Sequence, residues 1–142
     1  MFGMTKKQFL KRSAKCMDET GSLLLLLKEV IDKEVQGKID NQEASKKIEI
    51  IRKEIESIFF KFEKLNPPSK CFQLKQKILR ALINFQEIVV DVSKYLAVKV
   101  EKNEKSPEKL KELRDHLEEF RNDFHDSTRD INTFLSEKKN FK

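Results

Sequence analysis

Two histidines, two cysteines and 24 carboxylates are the side chains of this 142-residue sequence that could hold a metal or move a proton. A di-iron centre in a helical bundle needs Glu-x-x-His on two helices, joined by further inward glutamates. Neither His116 nor His125 has a glutamate three residues before it, and nine residues of separation put them on opposite faces of one helix. Cys16 and Cys71 stand at no spacing that would make a zinc site with them. Two cysteines also make no disulfide framework, so a reducing compartment is the default, with both thiols behaving as small core hydrophobes. Acids crowd His116 in Asp115-His116-Leu117-Glu118-Glu119 and would repel a phosphoryl donor, so it is expected at the surface, paired with Glu112 or Glu119. With only three glycines there is no phosphate-cradling loop. The expectation is a non-enzymatic chain with no metal, no cofactor and no small-molecule substrate.

One short stretch points elsewhere. Arg121-Asn122-Asp123-Phe124-His125 resembles the Arg-polar-His signature of HEPN ribonucleases, which are also all-helical. The resemblance implies that His125 and Arg121 act on an RNA phosphodiester, the arginine stabilising negative charge. It covers these five residues, and the spacer is shorter than that family's. Spaced four apart, the two residues are equally neighbours on one helix face. A HEPN-like ribonuclease, or a nucleic-acid-binding protein more broadly, is therefore the alternative reading.

Any such group must be positioned by helices. Three glycines, three prolines and 38% charged residues alongside 38% hydrophobic ones describe long amphipathic elements with short connections. Thr5 and Gln8 are spaced as a capping box, with Met4 and Phe9 as its hydrophobic staple. Leu10, Ala14, Met17, Gly21, Leu24, Leu27 and Ile31 then follow a helical period, and Gly37 suits a left-handed C-terminal cap. Asp40 caps a second helix with the seam Ala44, Ile48, Ile51, Ile55, Ile58, Phe62 and Leu65. Pro67 and Pro68 end it. Ser69 or Pro68 opens a third helix with Cys71, Leu74, Ile78, Leu82, Phe85, Val89, Val92, Leu96 and Val100 inward. Its apolar flanks Leu79, Ile83, Ile88 and Val90 mark it as the most buried. Ser106-Pro107-Glu108 starts a fourth, with Leu110, Leu113, Leu117, Phe120, Phe124, Ile131 and Leu135 as its seam. The spacing predicts helices over roughly 5–36, 41–65, 69–102 and 107–138 in one all-α domain, residues 1–142, folded as an antiparallel up-down-up-down four-helix bundle.

In that topology the start of helix 1, the end of helix 2, the start of helix 3 and the end of helix 4 share a pole. Residues 1–17 carry five basic and no acidic side chains, 57–80 six and one, and 129–142 four and two. Together these segments hold +12 of a whole-chain +6, leaving −6 for the remainder. Positive charge at helix starts opposes the macrodipole, so helix stability does not explain it. Eight of the 11 phenylalanines fall in the same segments. Phe60 shares a face with Lys53 and Glu56 and should meet water, while Phe2 and Phe141 lie in the tails. The candidate contact residues are Lys6, Lys7, Lys11, Arg12, Lys15, Phe60, Lys61, Lys64, Lys70, Lys75, Lys77 and Arg80. Cations among exposed aromatics suit an anionic membrane surface or an acidic protein partner, and single-stranded nucleic acid as the alternative. The run Leu23–Leu27 is too short to span a membrane, and the expected compartment is the cytoplasm. The isoleucine-rich seam of helix 2 and the first turns of helix 1 leave a homodimer open.

Overall fold

The computed structural model describes residues 3–100 and 106–140, and of residues 100, 106 and 134–140 the backbone alone. The expectations for Phe2, Phe141, the inward Val100 and Leu135, the charged turn at 102–105 and the cations Lys138, Lys139 and Lys142 lie outside the described residues. The described chain is all-α: α1 (Lys6–Val35), α2 (Asn41–Glu63), a 3₁₀ turn (Ser69–Cys71), α3 (Phe72–Val100) and α4 (Ser106–Asn140). α1 packs on α2, α2 on α3, α3 on α4 and α4 on α1, so the four close a ring around one core.

Local chemistry sets the boundaries. Both bonds of the capping box form, Gln8 N–H donating to Thr5 Oγ1 at 3.1 Å and Thr5 N–H to Gln8 Oε1 at 2.9 Å. α1 ends in a Schellman arrangement: Gly37 sits at φ 74°, its N–H donates to the Glu34 carbonyl, and Lys38 N–H reaches the Lys33 carbonyl. Only a residue without Cβ takes that backbone cheaply. Asp40 caps α2 by accepting from Glu43 N–H at 2.7 Å. α2 stops at Glu63, two residues short of the expected end, because Leu65 N–H turns back to the Phe62 carbonyl ahead of the prolines. Neither Ser69 nor Pro68 opens α3 as expected. Pro68 is extended (ψ 154°), no side chain caps, and Cys71 N–H bonds to the Pro68 carbonyl in the 3₁₀ turn.

The core draws on all four helices, with Phe9, Phe85 and Phe120 among the largest fully buried side chains. Phe85 and Phe120 meet edge to face, centroids 5.4 Å apart. Gly21 is a close approach: a Cβ there would stand 3.3 Å from Phe124 Cζ on α4. The α1 seam is broader than its period suggested. Ala14 and Gly21 are half-buried, while Ser13, Cys16 and Thr20 are buried beside it. Thr20 returns its hydroxyl to the Cys16 carbonyl, whereas the Ser13 hydroxyl has no hydrogen-bond partner. α3 is also less enclosed than its flanks implied. Ile88 is buried and Leu79 half-buried, but Ile83 and Val90 are 42% and 46% exposed, because α3's neighbours leave one side open.

Among the described residues one carboxylate lies inside. Glu34 near the end of α1 is 5% exposed; it accepts from Lys99 Nζ at 2.8 Å and from Tyr95 Oη at 3.4 Å, both on α3. Burial pushes the Tyr95 hydroxyl above its ordinary 10.0, Glu34 adds to the rise, and Lys99 pulls the other way. For Lys99, burial, the largest influence, pulls down, but the Glu34 hydrogen bond and the nearby charges outweigh it and raise the group. Both groups hold protons more tightly folded than unfolded. The stability they contribute is complete below their unfolded values and is lost as pH rises through the folded ones. Tyr95 is the only tyrosine and there is no tryptophan, so tyrosinate absorbance reads this site alone. Its native midpoint is expected above about 10 and to return to about 10 in urea. A native midpoint equal to the denatured one would contradict the assignment.

Candidate functional site

The end of α2, the start of α1 and the start of α3 meet around the Pro67–Pro68 turn. Met4 N–H donates to the Asn66 carbonyl at 3.2 Å. Lys75 Nζ, reaching back from α3, donates to the Glu63 and Leu65 carbonyls at 2.8 Å each, closing the C-terminal turn of α2. Of the cations picked out by charge, Lys61, Lys64 and Lys70 lie next to this junction in the chain, and the others lie one to several turns along α1 and α3.

Their occupations differ. Among the described residues Lys7, Lys11, Arg12, Lys61, Lys64, Lys70 and Arg80 are exposed and form no ion pair. Lys15 only approaches Glu19, at 4.0 Å and in solvent, a contact of little energetic weight. Lys6 is half-buried. Lys75 is engaged as the α2 cap, and Lys77 pairs with Asp130 of α4, so these two are occupied within the fold and are the least available to a ligand.

Phenylalanine divides in the same way. Phe9 and Phe62 are core, their centroids 5.8 Å apart, and Phe59 is half-buried. Phe60 faces water at 50% exposure, and Phe72 at 54%. Phe72 was not picked out from the sequence. Its signal was available: one residue past the buried Cys71, the helical rotation turns it off the seam that Leu74 and Ile78 continue.

Between α1 and α2 a groove of about 100 Å³ opens on this surface. Arg12, Lys15 and Lys61 stand along its walls with Glu19, over Cys16, Ile58, Phe62 and Leu65. Three cations and one acid over an apolar floor can seat an anionic group carried on an apolar stem. Burial pushes the Cys16 thiol up to about 12, against a smaller opposing effect of its contact with Thr20, so it stays a neutral thiol. It has neither the thiolate of a nucleophile nor that of a metal ligand. Cys71 is likewise buried and unbonded. Beyond Glu19 a wider groove of about 380 Å³ continues past Leu23 and Ser57 to Glu54, where the lining turns acidic.

His116 is half-exposed, and its partner is Asp91 of α3 at 3.1 Å, not Glu112 or Glu119. The sequence periodicity offered same-helix acids, but the neighbouring helix brings a nearer one. Arg121 and His125 are exposed on α4, with Arg121 3.9 Å from Glu118 and His125 against the Phe124 ring. Among the described residues no group of three metal-ligating side chains converges, and no helix is long and apolar enough to cross a membrane. Compared with protein-family models, curated proteins and solved structures, the chain matches none.

Proposed function

We propose that the helices pack as an antiparallel up-down-up-down four-helix bundle whose basic end docks on an anionic membrane surface, and that the chain is a non-enzymatic interaction module. The antiparallel arrangement is supported by contacts that join helix starts to helix ends. Asn41 Nδ2 donates to the Leu96 carbonyl, Arg114 faces Asp32 at 3.5 Å, and Lys77 meets Asp130. The observation that carries the docking reading is a set of seven cations, exposed and without an ion pair among the described residues, on the same three joined segments as the exposed Phe60 and Phe72. A fold gains nothing from leaving so many like charges together. A negatively charged lipid surface attracts each by about 1 kcal/mol, and half-exposed phenyl rings lose water in its headgroup layer. The cations are spread over three chain segments, which suits a broad charged surface better than a single deep contact.

Sedimentation with phosphatidylserine-containing vesicles at rising salt tests this. Binding is expected at low ionic strength, with steep loss as salt screens it and none to neutral vesicles. No binding to anionic vesicles at low salt overturns the reading. Retention on an acidic polypeptide or on single-stranded RNA instead would assign the same surface to a protein partner or a nucleic acid.

A further inference from the structure

α3 carries a second periodicity on the side its neighbours leave open. Phe72, Leu79, Ile83, Val90 and Ala97 fall on one line of steps of four and three, completed by the uncharged Gln76, Gln86 and Ser93. Phe72, Ile83 and Val90 are 54%, 42% and 46% exposed, and Leu79 is half-buried. In a chain that is 38% charged, eight such positions would carry about three charges; this line carries none. Alternating steps of four and three keep a stripe facing one partner helix over its whole length. At 1.5 Å per residue the stripe runs about 39 Å.

Beyond Lys75, which heads the other flank and is engaged with the Glu63 and Leu65 carbonyls, charges flank it on one side. Arg80, Glu87 and Lys94 follow at spacings of seven, all exposed, and among the described residues Arg80 and Glu87 form no ion pair. The other flank, Leu82, Val89 and Leu96, is already in the core. We propose that this stripe is a self-association face on which two copies of the chain pair with their α3 helices antiparallel. Setting Leu79 against Val90 of the second copy brings Ile83 to Gln86 and Gln76 to Ser93, and the bulky Phe72 to the small Ala97. The same register draws Arg80 close to Glu87 of the second copy, twice by symmetry. A parallel, in-register pair would instead stack Phe72 on Phe72 and leave Arg80 and Glu87 apart. Three polar positions in the stripe make this a concentration-dependent dimer, not an obligate one. The pairing does not rest on the membrane reading; it would cover Phe72 and Arg80 and leave Phe60 and the other six cations of each copy toward opposite ends of the dimer.

Sedimentation velocity from micromolar to hundreds of micromolar protein, without lipid, tests it. The unaltered chain is expected to shift from monomer to dimer. Ile83→Lys with Val90→Lys, both at exposed positions, should stay monomeric with unchanged helical circular dichroism. Arg80→Glu alone should weaken the dimer about tenfold by setting like charges together, and Arg80→Glu with Glu87→Arg should restore it. A chain monomeric throughout, a dimer that survives the double lysine variant, or a charge swap that restores nothing each overturns the proposal.

Discussion

Replacing Lys61, Lys64 and Lys70 together by alanine is expected to weaken binding to anionic vesicles roughly 150-fold, at about 1 kcal/mol per cation and 1.4 kcal/mol per factor of ten. All three are exposed and without an ion pair among the described residues, so their loss breaks no salt bridge and costs the fold at most about 1 kcal/mol of helix-end charge at Lys61. The comparison is Lys38, Lys46 and Lys111, equally exposed and lying toward the other helix ends, where the same loss of charge should leave binding nearly as it was. Equal weakening by both sets would mean that net charge matters and its placement does not. Lys75 is unsuitable for such a test. Removing it would also uncap α2 at Glu63 and Leu65, mixing a stability effect into a binding measurement.

Lys99→Met is expected to cost about 2–3 kcal/mol of folding stability, read as a lower urea midpoint with an unchanged slope. The reason is what it leaves behind: Glu34, 5% exposed, whose one remaining hydrogen bond is the long one from Tyr95. Breaking one side of a fully buried pair costs about 3–5 kcal/mol. The Lys99 side chain is 37% exposed, so water can partly replace it and the lower figure follows. Changing both, Glu34→Leu with Lys99→Leu, should recover most of the loss, because neither charge then remains to be desolvated. A single variant as stable as the unaltered chain would show that Glu34 does not depend on Lys99.

What could be read from the residues alone was what local rules govern. The Thr5–Gln8 box, the Asp40 cap, Gly37 and the Pro67–Pro68 break fixed the helices to within a few residues, since each acts over a single turn. The inward seams followed from period. What escaped were properties that a neighbouring helix decides. His116 selected Asp91 rather than an acid of its own helix. Ile83 and Val90 looked like core and remained exposed, because apolar character does not say whether a partner helix arrives. At the basic end, composition located the cations but could not separate Lys75 and Lys77, engaged within the fold, from Lys64 and Lys70, which are not. The groove under Arg12 and Lys61 belongs to the spacing of two helices, and neither helix carries its signal alone.

The ties around the Pro67–Pro68 turn bear on how quickly this end could engage anything. Met4 is bonded to Asn66, and Lys75 to Glu63 and Leu65, so three chain segments are tied together at one turn. A surface already in its bound shape has little backbone entropy left to lose on contact. Encounter would then be limited by electrostatic steering, not by loop ordering, and salt would act mainly on the association rate and only weakly on the residence time.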